Sequence, residues 1–155
     1  MFGRFRRAVE AGRAAIGATP PASDAGALPT LPPMLALLAL DEIGPGAQGL
    51  RDRHLAAARA QGARALFILS PDSVPDLADN NLLCEFLPLP EDLARTTGDP
   101  PEVVEAYRHN RLRLILDKWG VAECRWIGES AAELVDGWTP EADLRLRPIR
   151  FRPAP

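Results

Sequence analysis

The stretch MLALLALDEIGPGAQGLRDRHLAAARAQGARALFIL, residues 34–69, decides how the chain reads. Met34–Leu40 is a continuous apolar run, which suits a strand buried on both faces of a parallel sheet. Asp41–Gly49 forms a glycine-bearing turn. Gln48–Gln61 then carries helical spacing: Leu50, His54, Leu55, Ala57 and Ala58 give a small-residue packing face, and Gly62 supplies the stop. Ala65–Leu69 is a second apolar strand, closed by Ser70-Pro71-Asp72. Strand, helix and strand in this order make a βαβ unit, the building block of a parallel sheet.

The same alternation continues outward from this unit. Pro71 and Pro75, then Asn80-Asn81, bracket a loop or a short helix. Leu82–Leu87 is expected as a third strand, ended by Pro88-Leu89-Pro90, and Glu91–Thr96 as one or two helical turns. The helix at Glu102–Trp119 has the strongest signals. Asp99 is placed as N-cap, Pro100 at the first helical position, and Glu102 three residues after the cap, as in a capping box. Val104, Tyr107, Leu112, Ile115, Leu116 and Trp119 trace its apolar side, and Gly120 supplies a left-handed end. Glu123–Ile127 reads as a fourth strand up to Gly128, and Ser130–Val135 as a short helix capped by Ser130. From residue 143, DLRLRPIRFRPAP alternates Leu and Arg and reverses phase across Pro148, which fits an edge strand or an extended arm.

The expected fold is therefore α/β: a Rossmann-like, mostly parallel sheet of about four strands with helices packed on it, over residues 34–138. Flexible basic termini flank it. Residues 1–33 read as a basic leader and a Pro-rich linker, and residues 139–155 as an Arg-rich C-terminal arm or edge strand.

Charge is unevenly distributed. The chain carries 18 basic and 21 acidic residues, a net of −3. Residues 1–13 hold Arg4, Arg6, Arg7 and Arg13 against Glu10, and residues 144–155 hold Arg145, Arg147, Arg150 and Arg152 with no acid. The ends contribute +3 and +4, which leaves −10 on the body. Such a body argues against nucleic acid as a partner and leaves a protein partner, self-association or an anionic surface for the basic ends. Phe2, Phe5, Val9 and Ile16 among the leader's arginines are spaced for contact of residues 1–16 with a membrane surface, but this apolar face is small. No apolar run reaches the ~18–20 residues of a membrane span, and no continuous apolar segment marks a secretory leader. Cytoplasmic is the default. Cys84 and Cys124, each in an apolar run, read as free thiols.

Three glycines carry the candidate chemistry. Gly44, Gly46 and Gly49 have G-x-G-x-x-G spacing in the first turn of the βαβ unit. In a dinucleotide-binding turn the first glycine permits the bend and the second lets a pyrophosphate approach the backbone. The third permits close helix–strand packing. The helix N-terminus then offers N–H groups to phosphate. Asp72, 23 residues after Gly49, stands where an acid meets a ribose hydroxyl, and Ser70 beside it is a second candidate for that hydroxyl. Asp41 and Glu42, just before the turn, place negative charge near the same spot, and Pro45 stiffens it.

Other chemistry is less well provided for. His54 and His109 lack partners at metal-ligand spacing, so no metal is expected, and no cofactor. Neither Ser70 nor Ser73 lies in a G-x-S-x-G elbow, so catalytic residues stay unassigned and enzyme activity open. His109 lies in YRHNRLR, where Arg108, Arg111 and Arg113 suggest a basic or a solvated helical face. Trp119, Trp126 and Trp138 are expected in the core.

The stretch GPGAQGLRDRHLAAARAQGARALFIL, residues 44–69, resembles the opening of the N-terminal Rossmann-like half of GT-B glycosyltransferases. In that family a glycine-rich loop leads into an Ala- and Arg-bearing helix that often ends "ARGH" before the second strand. Here Ala60-Gln61-Gly62-Ala63 stand at that end. The resemblance covers about 30 of 155 residues and implies at most a stand-alone, truncated or non-catalytic relative, since that half mainly holds the acceptor. Glu133 and Glu141 have the family's E-x7-E spacing, but Gly137 and Pro140 interrupt it. Two functions are therefore expected. One is a small domain binding a phosphate-bearing ligand, nucleotide or nucleotide-sugar, at Gly44, Gly46, Gly49, Ser70 and Asp72. The other is a non-catalytic interaction module docking through its basic ends to a protein partner or membrane surface.

Overall fold

The computed structural model describes residues 30–79, 81–140 and 143–149. The leader at 1–16, most of the linker, Asn80, Glu141, Arg150 and Arg152 lie outside them. Strand β1, Met34–Ala39, is buried along its whole length, as its unbroken apolar run requires. It pairs in parallel with β2, Arg64–Leu69, on one side and with β4, Val121–Ile127, on the other. β3, Cys84–Phe86, adds to β2, and β5, Arg145–Pro148, adds to β4, both in parallel. The result is one five-stranded, all-parallel sheet of order β3-β2-β1-β4-β5.

Helices cover both faces, and the two-residue alternation of β1 divides the core between them. Met34, Ala36, Leu38 and Leu40 pack with Leu112, Ile115 and Leu116 of α4, Pro101–Trp119, and with Ala131, Leu134 and Val135 of α5, Glu129–Asp136. Leu37 and Ala39 face the other way, onto Ala47 and Leu50 of α1, Ala47–Ala60, and Leu77 of α2, Val74–Leu77. Helix α3, Pro90–Thr97, precedes α4. Trp119, Trp126 and Trp138 are partly buried against the α4–α5 core. No helix among the described residues is long and apolar enough to cross a membrane.

The structure differs from the expectation at several points. The sheet has five strands against the about four expected, because the C-terminal arm takes its edge-strand alternative and Arg145–Pro148 pairs with β4. Leu144 and Leu146 pack against the core while Arg145 and Arg147 are exposed, so the Leu/Arg alternation is that of an edge strand. The capping box at α4 does not form: Pro100 is the N-cap, no side chain caps the helix, and the Asp99 amide instead donates to Thr97 Oγ1 at 3.2 Å. Nor is Ser130 a cap. Gly128 holds that position at α5, and Ser130 lies inside the first turn. Tyr107 is 52% exposed, and Arg108, 7% exposed, occupies the buried stripe of α4 in its place. The sheet edge adjoining α4 is tied by Glu85, which accepts from Lys118 Nζ at 2.6 Å and Trp119 Nε1 at 2.7 Å.

Candidate functional site

The order β3-β2-β1-β4-β5 reverses direction between β1 and β4. In an open parallel sheet, ligands bind outside the carboxyl ends of the strands at such a switch point. Three segments meet at this edge: the turn after β1, the turn after β2, and the start of α5 after β4. The glycine turn, Ser70 and Asp72 all belong to it.

The turn after β1 folds as its glycines dictate. Gly44 has φ 62° and Gly46 φ 103°, both in the left-handed region where a Cβ is disfavoured. The amide of Ala47 donates to Gly44 O at 3.2 Å and that of Leu50 to Gly46 O at 3.0 Å, so Gly46 starts α1. Gly49 behaves differently. It lies in the first turn of α1, is exposed, and a Cβ added to it would meet nothing within 4 Å. The third glycine therefore does not serve close helix–strand packing, the role expected of it in a dinucleotide-binding turn.

The turn amides already hold an anion. Asp76 Oδ2, from α2, accepts from Ile43 N and from Gly44 N, each at 2.8 Å. Two charge-assisted bonds converge on one carboxylate oxygen, the arrangement a phosphate oxygen would also satisfy. Across the switch point Asp41 does the same for α5. Its Oδ2 accepts from Ser130 N at 3.1 Å, and its Oδ1 accepts from the Ser130 hydroxyl. Asp41 thus serves as a capping side chain reaching over from the end of β1. A Cβ on Gly128 would lie 2.0 Å from Asp41 Oδ2, so glycine is required there for the cap to close.

The residues after β2 turn inward. Ser70 and Ser73 are both fully buried. The Ser70 hydroxyl donates to Leu40 O at 2.5 Å and the Ser73 hydroxyl to Ala39 O at 2.6 Å, so both tie the β2 turn to the end of β1. The Ser70 amide donates to Ser73 Oγ at 3.0 Å, and the Asp72 amide to Ser70 Oγ at 3.2 Å. Asp72 itself is exposed. The structure therefore brings Gly44, Gly46 and Ser70 to one edge, with Ser70 buried and Gly49 and Asp72 facing solvent.

The histidines and arginines of the helices separate. His54 is 2% exposed and lies edge-on to Phe67 at 5.0 Å between ring centroids. Neither of its ring nitrogens makes a well-formed hydrogen bond, though the backbone of Leu66 and of Leu35 lies close to the ring. Burial holds its pKa down at about 4, opposed by the Leu66 backbone and aided by the Arg125 charge. His109 Nε2 lies 2.9 Å from Leu134 O. Arg111 faces Glu85, Arg113 bonds Asn110 and Asp117, and Arg108 turns inward, so the arginines of YRHNRLR share no single face. Among the described residues no group of three His, Cys, Asp or Glu side chains is placed to hold a metal ion. Both cysteines are free, and burial pushes the Cys124 thiol up to about 12, far from thiolate chemistry.

Comparison of the chain with protein-family models, curated proteins and solved structures finds no match.

Proposed function

We propose that the domain is a non-catalytic interaction module whose switch-point crevice has a structural role. The observation that carries this reading is Asp76 Oδ2 at 2.8 Å from both Ile43 N and Gly44 N. Two amides of this turn, just before the Gly46–Gly49 backbone that a pyrophosphate would approach, are held by the chain's own carboxylate. Asp41 occupies the helix N-terminus opposite, so an incoming phosphate would meet two like charges. The hydroxyls of Ser70 and Ser73 are spent on strand carbonyls, which leaves neither as an activated nucleophile.

The docking surface this reading favours is the edge at β5. Arg145 and Arg147 are exposed there, and Arg147 Nε lies 4.0 Å from Glu123 Oε2. An edge strand offers backbone groups for pairing, and arginines beside it select an acidic partner. Binding of the full chain to poly-L-glutamate at low salt, lost in the R145E/R147E variant, is the expected result.

A second reading, a nucleotide or nucleotide-sugar at the Gly44–Gly49 turn, draws support from the same geometry, since the turn amides are arranged for an anion. Such a ligand would lie beside the Asp76 carboxylate or displace it. Thermal unfolding of the full chain with nucleotides, dinucleotides and nucleotide-sugars separates the two. A ligand at about 100 times its dissociation constant would stabilise by about 2.7 kcal/mol. The module reading predicts no shift. A rise that Gly46→Val removes, with the fold intact, would overturn it.

A further inference from the structure

The cleft enclosed by α3, α4 and α5 is built differently from the switch-point crevice. Its volume is about 460 Å³, within the range of small-molecule sites. The segments leaving β3 and β4 line it, which puts it toward the carboxyl side of the sheet. Val104 and Leu134 give it apolar surface, and Glu91, Glu105 and Glu133, one from each helix, give it carboxylates.

Arg108 is the basic residue of this lining, and it is 7% exposed. Its Nε donates to Pro88 O at 3.1 Å, but its Nη2 is buried without a partner. The charges of Glu91, Glu105 and Glu133 act on the guanidinium through space, and none of the three forms an ion pair with it. A buried donor without an acceptor is unfavourable, and native interiors seldom leave one. Here a cation and three anions face one cleft without joining across it.

The charges define what would join them. With three carboxylates and one guanidinium, the lining carries a net −2. A simple anion would be repelled, and a polyamine would leave Nη2 without its acceptor. The lining calls for one carboxylate, which a guanidinium binds in two-pronged fashion, together with more than one cationic group. We propose that the α3–α4–α5 cleft binds a basic amino acid, its carboxylate on Arg108 and its ammonium and side-chain cation among Glu91, Glu105 and Glu133.

Calorimetric titration of the full chain with L-arginine and L-lysine, and with their decarboxylated counterparts agmatine and cadaverine, tests this without altering the protein. The expected result is binding of at least one amino acid about tenfold tighter than its decarboxylated counterpart, the difference made by the Arg108–carboxylate pair. Glu91→Gln, at an exposed position, should weaken that binding with an unchanged melting temperature. Arg108→Lys keeps the charge but not the two-pronged geometry and should reduce the preference over the decarboxylated ligand. No heat from either amino acid, equal affinity for arginine and agmatine, or indifference to Glu91→Gln would each overturn the proposal.

Discussion

His54 is a buried histidine, edge-on to Phe67, with neither ring nitrogen in a well-formed hydrogen bond and the Leu66 and Leu35 backbone close by. Its folded-state pKa of about 4 lies below the ordinary 6.5, so between those values the unfolded chain takes up a proton that the folded chain refuses. Its contribution is fully present above pH 6.5 and is lost as the pH falls toward 4. The loss is on the order of 3 kcal/mol. Urea unfolding at pH 7, 5.5 and 4.5 should show this decline, and His54→Leu should flatten it. Gly128 makes a second prediction at this scale. Its φ of 93° and the 2.0 Å approach of a Cβ to Asp41 Oδ2 leave no room for a side chain. Gly128→Ala should destabilise by about 1–3 kcal/mol through strain and by about 1 kcal/mol more through the lost α5 cap, read by chemical denaturation. At residue scale the sequence was only partly legible. Arg108 stands four residues after Val104 and four before Leu112, in the middle of the buried stripe, but residue type pointed to Tyr107 instead. Helical spacing alone would have found it. No local signal distinguished Asp76 from Asp72 as the acid that turns toward the glycines.

The glycine-bearing turn and α1 show how a motif can be kept in conformation without being kept in role. Gly44 and Gly46 need their positive φ, whereas Gly49 is an exposed helical position with open space around it. Gly49→Ala should therefore stabilise the protein by about 0.5–1 kcal/mol, the helix propensity difference, visible as a raised melting temperature. A packing glycine would give the opposite sign. Element type was readable wherever periodicity ran long, as in β1, α1 and α4. The glycine ends were readable too, Gly62 and Gly120 both having the left-handed backbone of a helix stop, whereas the N-caps were not, because they depend on partners far away in sequence. The α5 N-terminus is satisfied by Asp41, 89 residues earlier, and the capping box expected at α4 gives way to Pro100 and Pro101.

The whole molecule is organised by its fully buried central strand and by the edge where the turns after β1, β2 and β4 meet. The parallel sheet follows from the apolar run at Met34 and the repeated strand–helix alternation. The fifth strand was half legible, since the Leu/Arg alternation of the arm fits an edge strand, which needs only one apolar face, but fits an extended arm as well. At this scale Asp76 and Asp41 flank the crevice from two sides, and the proposed module reading rests on these internal carboxylates. The measurement that tests this most directly is the stability of Asp76→Ala by chemical denaturation. Losing the acceptor shared by Ile43 N and Gly44 N should lower stability by about 2–4 kcal/mol, from two charge-assisted hydrogen bonds to a part-buried turn. A change below about 0.5 kcal/mol, within the range of ordinary surface substitutions, would mean that the turn does not depend on its internal carboxylate and would contradict the account.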